Sequence, residues 1–308
     1  MCVAFWSLTH PEYALILCAN RDEFLGRPTL PAHFHSFEAL GTGSVLSGRD
    51  MLAGGTWLGI NRTTGRIALI TNITEPPATY ASSRGTLVSS FLGDPSGDLA
   101  CDAAALTRQT TRHAGFNLLL LEPLASSSAS ASTLAYDARL VSNDGGGGPI
   151  HARAPTDAER ACGGMSNGVD GHGGDLWPKV VQGKEELGNV LDELSRAPGM
   201  DEPDEDERLA GRLIELLTCV THLPIPPPRE RAELKNTIIV PVFDAGATKL
   251  DAPHAYYGTR LAQVVLVRRN GHVRYIERDV WLPDTTGAPV RAGATDMRAF
   301  SFRLGSGS

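Results

Sequence analysis

The chain has 308 residues, 42% of them apolar and 20% charged, and a net charge of −7 at neutral pH. That acidic balance, with Arg268-Arg269 as the longest basic cluster, excludes the basic face of a nucleic-acid binder, and no window approaches the roughly 20 apolar residues of a transmembrane segment. Five scattered cysteines without a CxxC pair point to neither a zinc site nor a disulfide framework, and so to a reducing, cytoplasmic compartment.

The chain begins MCVAFWSL, an apolar start broken too soon by His10, Pro11 and Glu12 to read as a secretory signal. CVAFWSL and EYALILCAN, rich in strand formers and separated by a turn near Pro11, predict an antiparallel hairpin. That pairing sets Cys2 opposite the residues near Asn20 and delivers Arg21 and Asp22 beside the N-terminus. His33 and His35 share one side of any strand, but no third ligand stands at a recognisable spacing, and we read them as structural with no metal.

GGTWLGIN, whose glycines allow tight turns, leads into a buried strand GRIALITN that ends on Thr71-Asn72. Helical periodicity follows over SSRGTLVSSFLG and from Ser96, a candidate N-cap, to about Gln109. FNLLLLEP and TLAYDARLVSND read as strands, KVVQGKEELGNVLDEL as a helix, and a further helix runs from about Glu205 to Thr221. TIIVPVF, LAQVVLVRR and HVRYIER are strands, the last two joined by an Asn270-Gly271 hairpin turn. Segments near 125–132, 144–149 and 199–228 read as surface loop insertions within a single domain, 1–308. The glycines of DGGGGP lack the Lys-Ser/Thr of a phosphate-binding loop. Strands, then helices, then strands again favour an α+β layered sandwich over an alternating βαβ fold.

Cys2 is the residue with the most chemistry in reach. Removal of Met1 would leave it with both a thiol nucleophile and a free α-amine, whose pKa of about 7.7–8.0 suits a general base. A neighbouring arginine favours the thiolate. Arg21 offers a fixed donor fork to a carbonyl or carboxylate, and Asp22 can orient the N-terminal amine or the thiol. Asn72 and Asn167, the latter in GGMSNG, are uncharged donors of the kind that stabilise an oxyanion.

NRDE after the N-terminal Cys, then GGTWLGI, TN, SRGTLVSSFL, GFNLL, GMSNG, WPKV and YGTR in that order resemble the NRDE family, also called the transport and Golgi organisation protein 2 family. The resemblance extends, more distantly, to cysteine N-terminal-nucleophile hydrolases and implies an αββα four-layer sandwich. It implies Cys2 as nucleophile, Arg21 and Asp22 as the flanking pair, Asn72 and Asn167 as oxyanion or substrate contacts, and Arg260 of YGTR as a support for Cys2 from a late strand. Two functions follow from it: an amidohydrolase or acyl-transfer protein acting on a C–N amide or thioester bond of a small acyl compound, or a non-catalytic carrier of haem or acyl-CoA. Neither requires a cofactor, haem being cargo. The family association adds mitochondrial or Golgi attachment, secretion and lipid metabolism to the cytoplasmic expectation.

Overall fold

The computed structural model describes residues 2–38, 43–76, 78–94, 98–124, 133–196, 202–219, 231–246, 255–293 and 296–305. The insertion at 125–132, most of the 199–228 segment outside a central helix, Met1 and Ser96 lie outside the described residues.

The described residues form a mixed α+β structure with two antiparallel seven-stranded sheets and five α-helices. The first sheet takes β1 (Val3–Ser7) and β2 (Tyr13–Phe24) from the N-terminus. The second is built by chain neighbours in order: β3 (Thr29–His35), β4 (Val45–Asp50), β5 (Leu58–Asn61), β6 (Ile67–Asn72), then β7 (Phe116–Pro123), β8 (Tyr136–Asn143) and β9 (Ile150–Arg153). Between β6 and β7 come α1 (Gly85–Gly93) and α2 (Leu99–Arg108); α3 (Asp157–Ala161) follows β9. The chain then returns to the first sheet with β10 (Gly163–Met165), and α4 (Pro178–Arg196) and α5 (Glu202–Thr218) cross it. β11 (Phe243–Asp244), β12 (Tyr256–Arg268), β13 (His272–Asp279) and β16 (Met297–Arg303) complete that sheet, in the order β10-β1-β2-β12-β13-β16 with β11 on β12. β14 (Trp281–Pro283) and β15 (Pro289–Arg291) form a separate ribbon.

Strands with both faces covered read as continuous apolar runs, and their alternation shows only in what each residue touches. Ala4, Trp6, Leu15, Leu17 and Val265 pack against Leu58, Ile67, Leu69 and Leu119 of the second sheet. Val3, Phe5, Ile16, Cys18 and Val264 meet Leu187, Leu209, Leu213 and Leu217 of α4 and α5. On the far side, Ala68, Ile70 and Leu118 meet Leu87, Val88 and Phe91 of α1 and Leu99 and Ala103 of α2. Among the described residues no helix is long and apolar enough to cross a membrane.

Several elements differ from the sequence reading. The N-cap of α2 is Asp98, whose side chain accepts from Cys101 N–H. The helix expected from Glu205 begins at Glu202 and buries Leu209, Leu213 and Leu217, so the middle of the 199–228 segment is core, not surface insertion. TIIVPVF is not a strand; only Phe243–Asp244 pairs, at Tyr256 and Tyr257. From Leu261 to Val267 β12 has β2 on one edge and β13 on the other; Val240 O accepts from Thr259 N–H short of that stretch, and Pro241 has no N–H to extend a ladder. The Asn270-Gly271 turn is present, with Gly271 at φ +84 and its N–H donating to Arg268 O.

The pair of histidines lies on β3 with ring centroids 4.8 Å apart. Phe37 N–H donates to His35 Nδ1, so Nε2 carries the hydrogen and donates to Ser47 Oγ at 2.8 Å. Burial, then the nearby His33 and Arg49, pushes His35 down to about 4 from 6.5. Between those values the unfolded chain binds a proton that the folded one does not. Stability present above pH 6.5 is therefore lost as the pH falls towards 4, by about 3 kcal/mol in all. Urea unfolding across that window should show a flatter pH dependence for His35→Gln.

α4 reaches β1 because Gly183 lies against the ring of Phe5, where a Cβ would overlap the ring. Gly183→Ala gains up to about 1 kcal/mol of helix propensity but overpacks this contact. The expected net result is a loss of about 1–2 kcal/mol in urea unfolding.

Candidate active site

The β1–β2 ladder pairs Val3 with Asn20 and Ala4 with Ala19, so one step further Cys2 stands opposite Arg21. Ala19 and Ala4 face the second sheet, and Arg21 follows Ala19 onto that face: its guanidinium lies over the Trp57 ring, 4.0 Å from the centroid. Asp22 takes the opposite face, with Asn20, whose amide donates to Leu217 O and Ile238 O. Two neighbours on one strand cannot share a face, so the expected flanking pair straddles Cys2. Arg21 reaches Thr29 Oγ1 at 3.3 Å and Glu23 at 3.8 Å. Asp22 Oδ1 accepts from Thr259 Oγ1 at 2.5 Å, and its backbone carbonyl accepts from Tyr257 OH at 3.1 Å and lies 4.0 Å from Cys2 Sγ.

Cys2, Arg21, Asp22 and Asn72 line one cavity of about 120 Å³ at this end of the two sheets. Trp57, Ser83, Arg84 and the Gly55 and Gly85 backbones close it. A Cβ on Gly55 would strike the Gly85 backbone, and Thr56 N–H donates to Gly85 O across this contact. Arg27 is held by Asp50 at 2.7 Å, with Glu23 at 3.7 Å. Arg84 donates to Gly115 O; burial lowers its pKa, and Glu75, Cys2 and Glu23 oppose that. Burial pushes the Cys2 thiol up; the Asp22 charge adds to this, and Arg21 works against it.

Asn167 and Arg260 do not line the cavity. Asn167 is buried beside it: its carbonyl accepts from Thr74 N–H and its Oδ1 lies 3.4 Å from Ser166 Oγ. Arg260 occupies the register break of β12 between Thr259 and Leu261. Its NH1 donates to Arg27 O at 2.6 Å and Phe24 O at 3.4 Å, and shares Thr29 Oγ1 with Arg21. Its described hydrogen-bond acceptors are thus two backbone carbonyls and one hydroxyl. Burial, then the Arg21 charge, brings Arg260 down to about 10.

Residue type alone had not marked four further neighbours. Ser166 Oγ donates to Cys2 O at 2.7 Å, and Lys179 Nζ reaches the same carbonyl at 3.5 Å. Thr259 anchors Asp22, and Trp57 carries Arg21. The signal for them lay in the motif strings GMSNG, WPKV, YGTR and GGTWLGI, each of which holds one. Among the described residues no group of three or more His, Cys, Asp or Glu could hold a metal ion.

Thr259 has no solvent exposure and accepts from Val240 N–H while donating to Asp22. Thr259→Val removes both hydrogen bonds and should cost about 1–3 kcal/mol, measured by chemical unfolding. Thr259→Ser should restore most of it.

The Transport and Golgi organisation 2 family model matches residues 1–281. The chain is 30% identical over 295 residues to the Transport and Golgi organization protein 2 homolog of Bos taurus, covering 93% of this chain and 95% of that one. It is 29% identical over 296 residues to the Mus musculus homolog, with the same shares covered. It is 28% identical over 291 residues to the Drosophila melanogaster protein of that name, covering 90% and 91%. The ordered motifs around Cys2, matched over nearly the whole chain, show that it belongs to the Transport and Golgi organisation 2 family.

Proposed function

We propose that this chain is an N-terminal-cysteine acyl-transfer protein that cleaves a small acyl amide or thioester, with Cys2 as the nucleophile. The observation that carries this reading is the Cys2 thiol on the wall of a 120 Å³ cavity whose other walls hold Arg21, Arg84 and Asn72. Support for an αββα sandwich of the N-terminal-nucleophile type comes from the paired sheets with helices packed on both outer faces.

In this reading Sγ attacks the acyl carbon and the C–N or C–S bond breaks. The thiol proton passes to the leaving amine or thiol, and water then hydrolyses the acyl-cysteine to the free acid and restores the thiol. The raised thiol pKa calls for a base, which the Cys2 α-amine supplies once Met1 is removed. Asn72 on the cavity wall is assigned to the oxyanion, while Asn167 and Arg260 support the walls from behind. The cavity is small beside the roughly 300–1,000 Å³ of pockets for drug-sized ligands, which supports a small acyl group. The relatives' names speak of transport and Golgi organisation, which carriage would also satisfy.

Protein shown by intact mass to begin at Cys2, incubated with a short-chain acyl thioester, should accumulate an acyl adduct on Cys2. Cys2→Ala should abolish the adduct, and Cys2→Ser should form it on the order of a hundredfold more slowly. Saturable binding of the thioester with no adduct and no turnover would sink the acyl-transfer reading in favour of carriage.

A further inference from the structure

The cavity beside Cys2 offers little to a hydrocarbon guest. Of its larger lining side chains only Trp57 and Ile70 are apolar, and one face of the Trp57 ring is covered by the Arg21 guanidinium. Apart from the Cys2 thiol, the other side chains are cations, carboxylates, an amide and hydroxyls. The carboxylates are engaged. Asp50 holds Arg27 at 2.7 Å, Glu23 stands between Arg27 at 3.7 Å and Arg21 at 3.8 Å, and Asp22 Oδ1 accepts from Thr259 Oγ1.

Arg84 is placed differently. Its half-buried side chain lines the same cavity, and its Nη1 donates to Gly115 O at 2.9 Å. Among the described residues it forms no ion pair. Glu75, whose charge attracts it, has one carboxylate oxygen on the N–H of Gly115 and the other on that of Gly146. Ser83 and Gly85 line the cavity with Arg84 at the N-terminal end of α1, whose partial positive charge also favours an anion. A guanidinium is a flat fork that matches a carboxylate through two parallel hydrogen bonds.

We propose that Arg84 is a specificity-determining residue that binds a carboxylate on the acyl part of the substrate, so that the site takes the half-thioester or half-amide of a short dicarboxylic acid. The carboxylate is assigned to the acyl part because that part stays on Sγ, inside the cavity, when the leaving group departs. This rests on the reading of Cys2 as the nucleophile of acyl transfer.

Adduct formation on protein beginning at Cys2 should be compared for the succinyl and butyryl thioesters of one simple thiol. In each case the Sγ–C bond forms, the C–S bond to the leaving thiol breaks, and the Cys2 proton goes to that thiol. The succinyl compound should react about ten- to a hundredfold faster. In Arg84→Gln the ratio of the two rates should fall to near one, and Arg84→Lys should recover part of it. Both rates are read on one preparation, so a fraction of unfolded protein cancels from the ratio. If Arg84 acted only on the oxyanion, Arg84→Gln would slow both compounds alike and leave the ratio unchanged. That result, or equal rates in the wild type, overturns the proposal.

A second measurement needs no turnover. Succinate should protect Cys2 of the wild type from iodoacetamide, while butyrate at the same ionic strength should not, with exposed Cys101 labelled throughout as the control. Arg84→Gln should lose the protection. Wild-type protein that succinate fails to protect overturns the proposal. Protection that depends on Arg84, with no adduct from either thioester, upholds the carboxylate site and overturns the acyl-transfer reading. Adducts that form equally fast from both thioesters do the reverse.

Discussion

The structure hangs on the register of a single short strand. β1 has five residues, all buried, gripped by β2 on one edge and β10 on the other. A slip of one residue would send Val3 and Phe5 into the inter-sheet core and Ala4 and Trp6 towards the helices. Because both faces are filled, the register has one solution, and that solution fixes Cys2 between Arg21 of β2 and Ser166 just past β10. The site geometry is therefore a by-product of core packing, and the loops contribute only its outer walls.

Polar groups in the interior are handled by linking the two sheets. Trp57 Nε1 donates to Gln263 Oε1, and Gln263 Nε2 donates to Tyr275 OH and Glu277 Oε2. Glu277 Oε1 accepts from Ala32 N–H on β3 and from Arg298 Nε. Burial raises the Glu277 carboxyl, and the donors from Ala32 and Arg298 pull it back. A buried network of this kind is costly unless its members find partners, and here its first member is the ring on which Arg21 lies. The wall of the cavity is thus tied to the opposite sheet by hydrogen bonds as well as by apolar packing.

What the sequence made legible was what local patterning determines. The N-terminal hairpin, β7, α4 and the Asn270-Gly271 turn each carry their signal within a few residues: an apolar run, a helical period, or a residue that tolerates positive φ. β3 and β4 were not foreseen as strands, because Thr29–His35 contains Pro31 and two histidines and Val45–Asp50 ends in Gly-Arg-Asp; tertiary pairing holds them there. TIIVPVF failed in the opposite sense, its apolar character serving burial of Ile238, Ile239 and Val240, with Pro241 stopping a ladder from growing out of the single Thr259–Val240 backbone contact. In the site, Cys2, Arg21 and Asp22 could be brought together from strand pairing alone. Lys179 and Ser166 could not, since they approach Cys2 from elements more than 160 residues away in the chain. The carbonyls around Arg260 gather at a register break that no pattern announces.

The strict alternation of β2 has one more consequence. Arg21 and Asp22 are covalent neighbours, yet the backbone between them acts as a septum: one side chain looks onto the Trp57 wall and the other into the Thr259 layer beneath the helices. Both nonetheless border the one cavity beside Cys2, so β2 presents a cation and an anion to it from opposite sides of a single backbone.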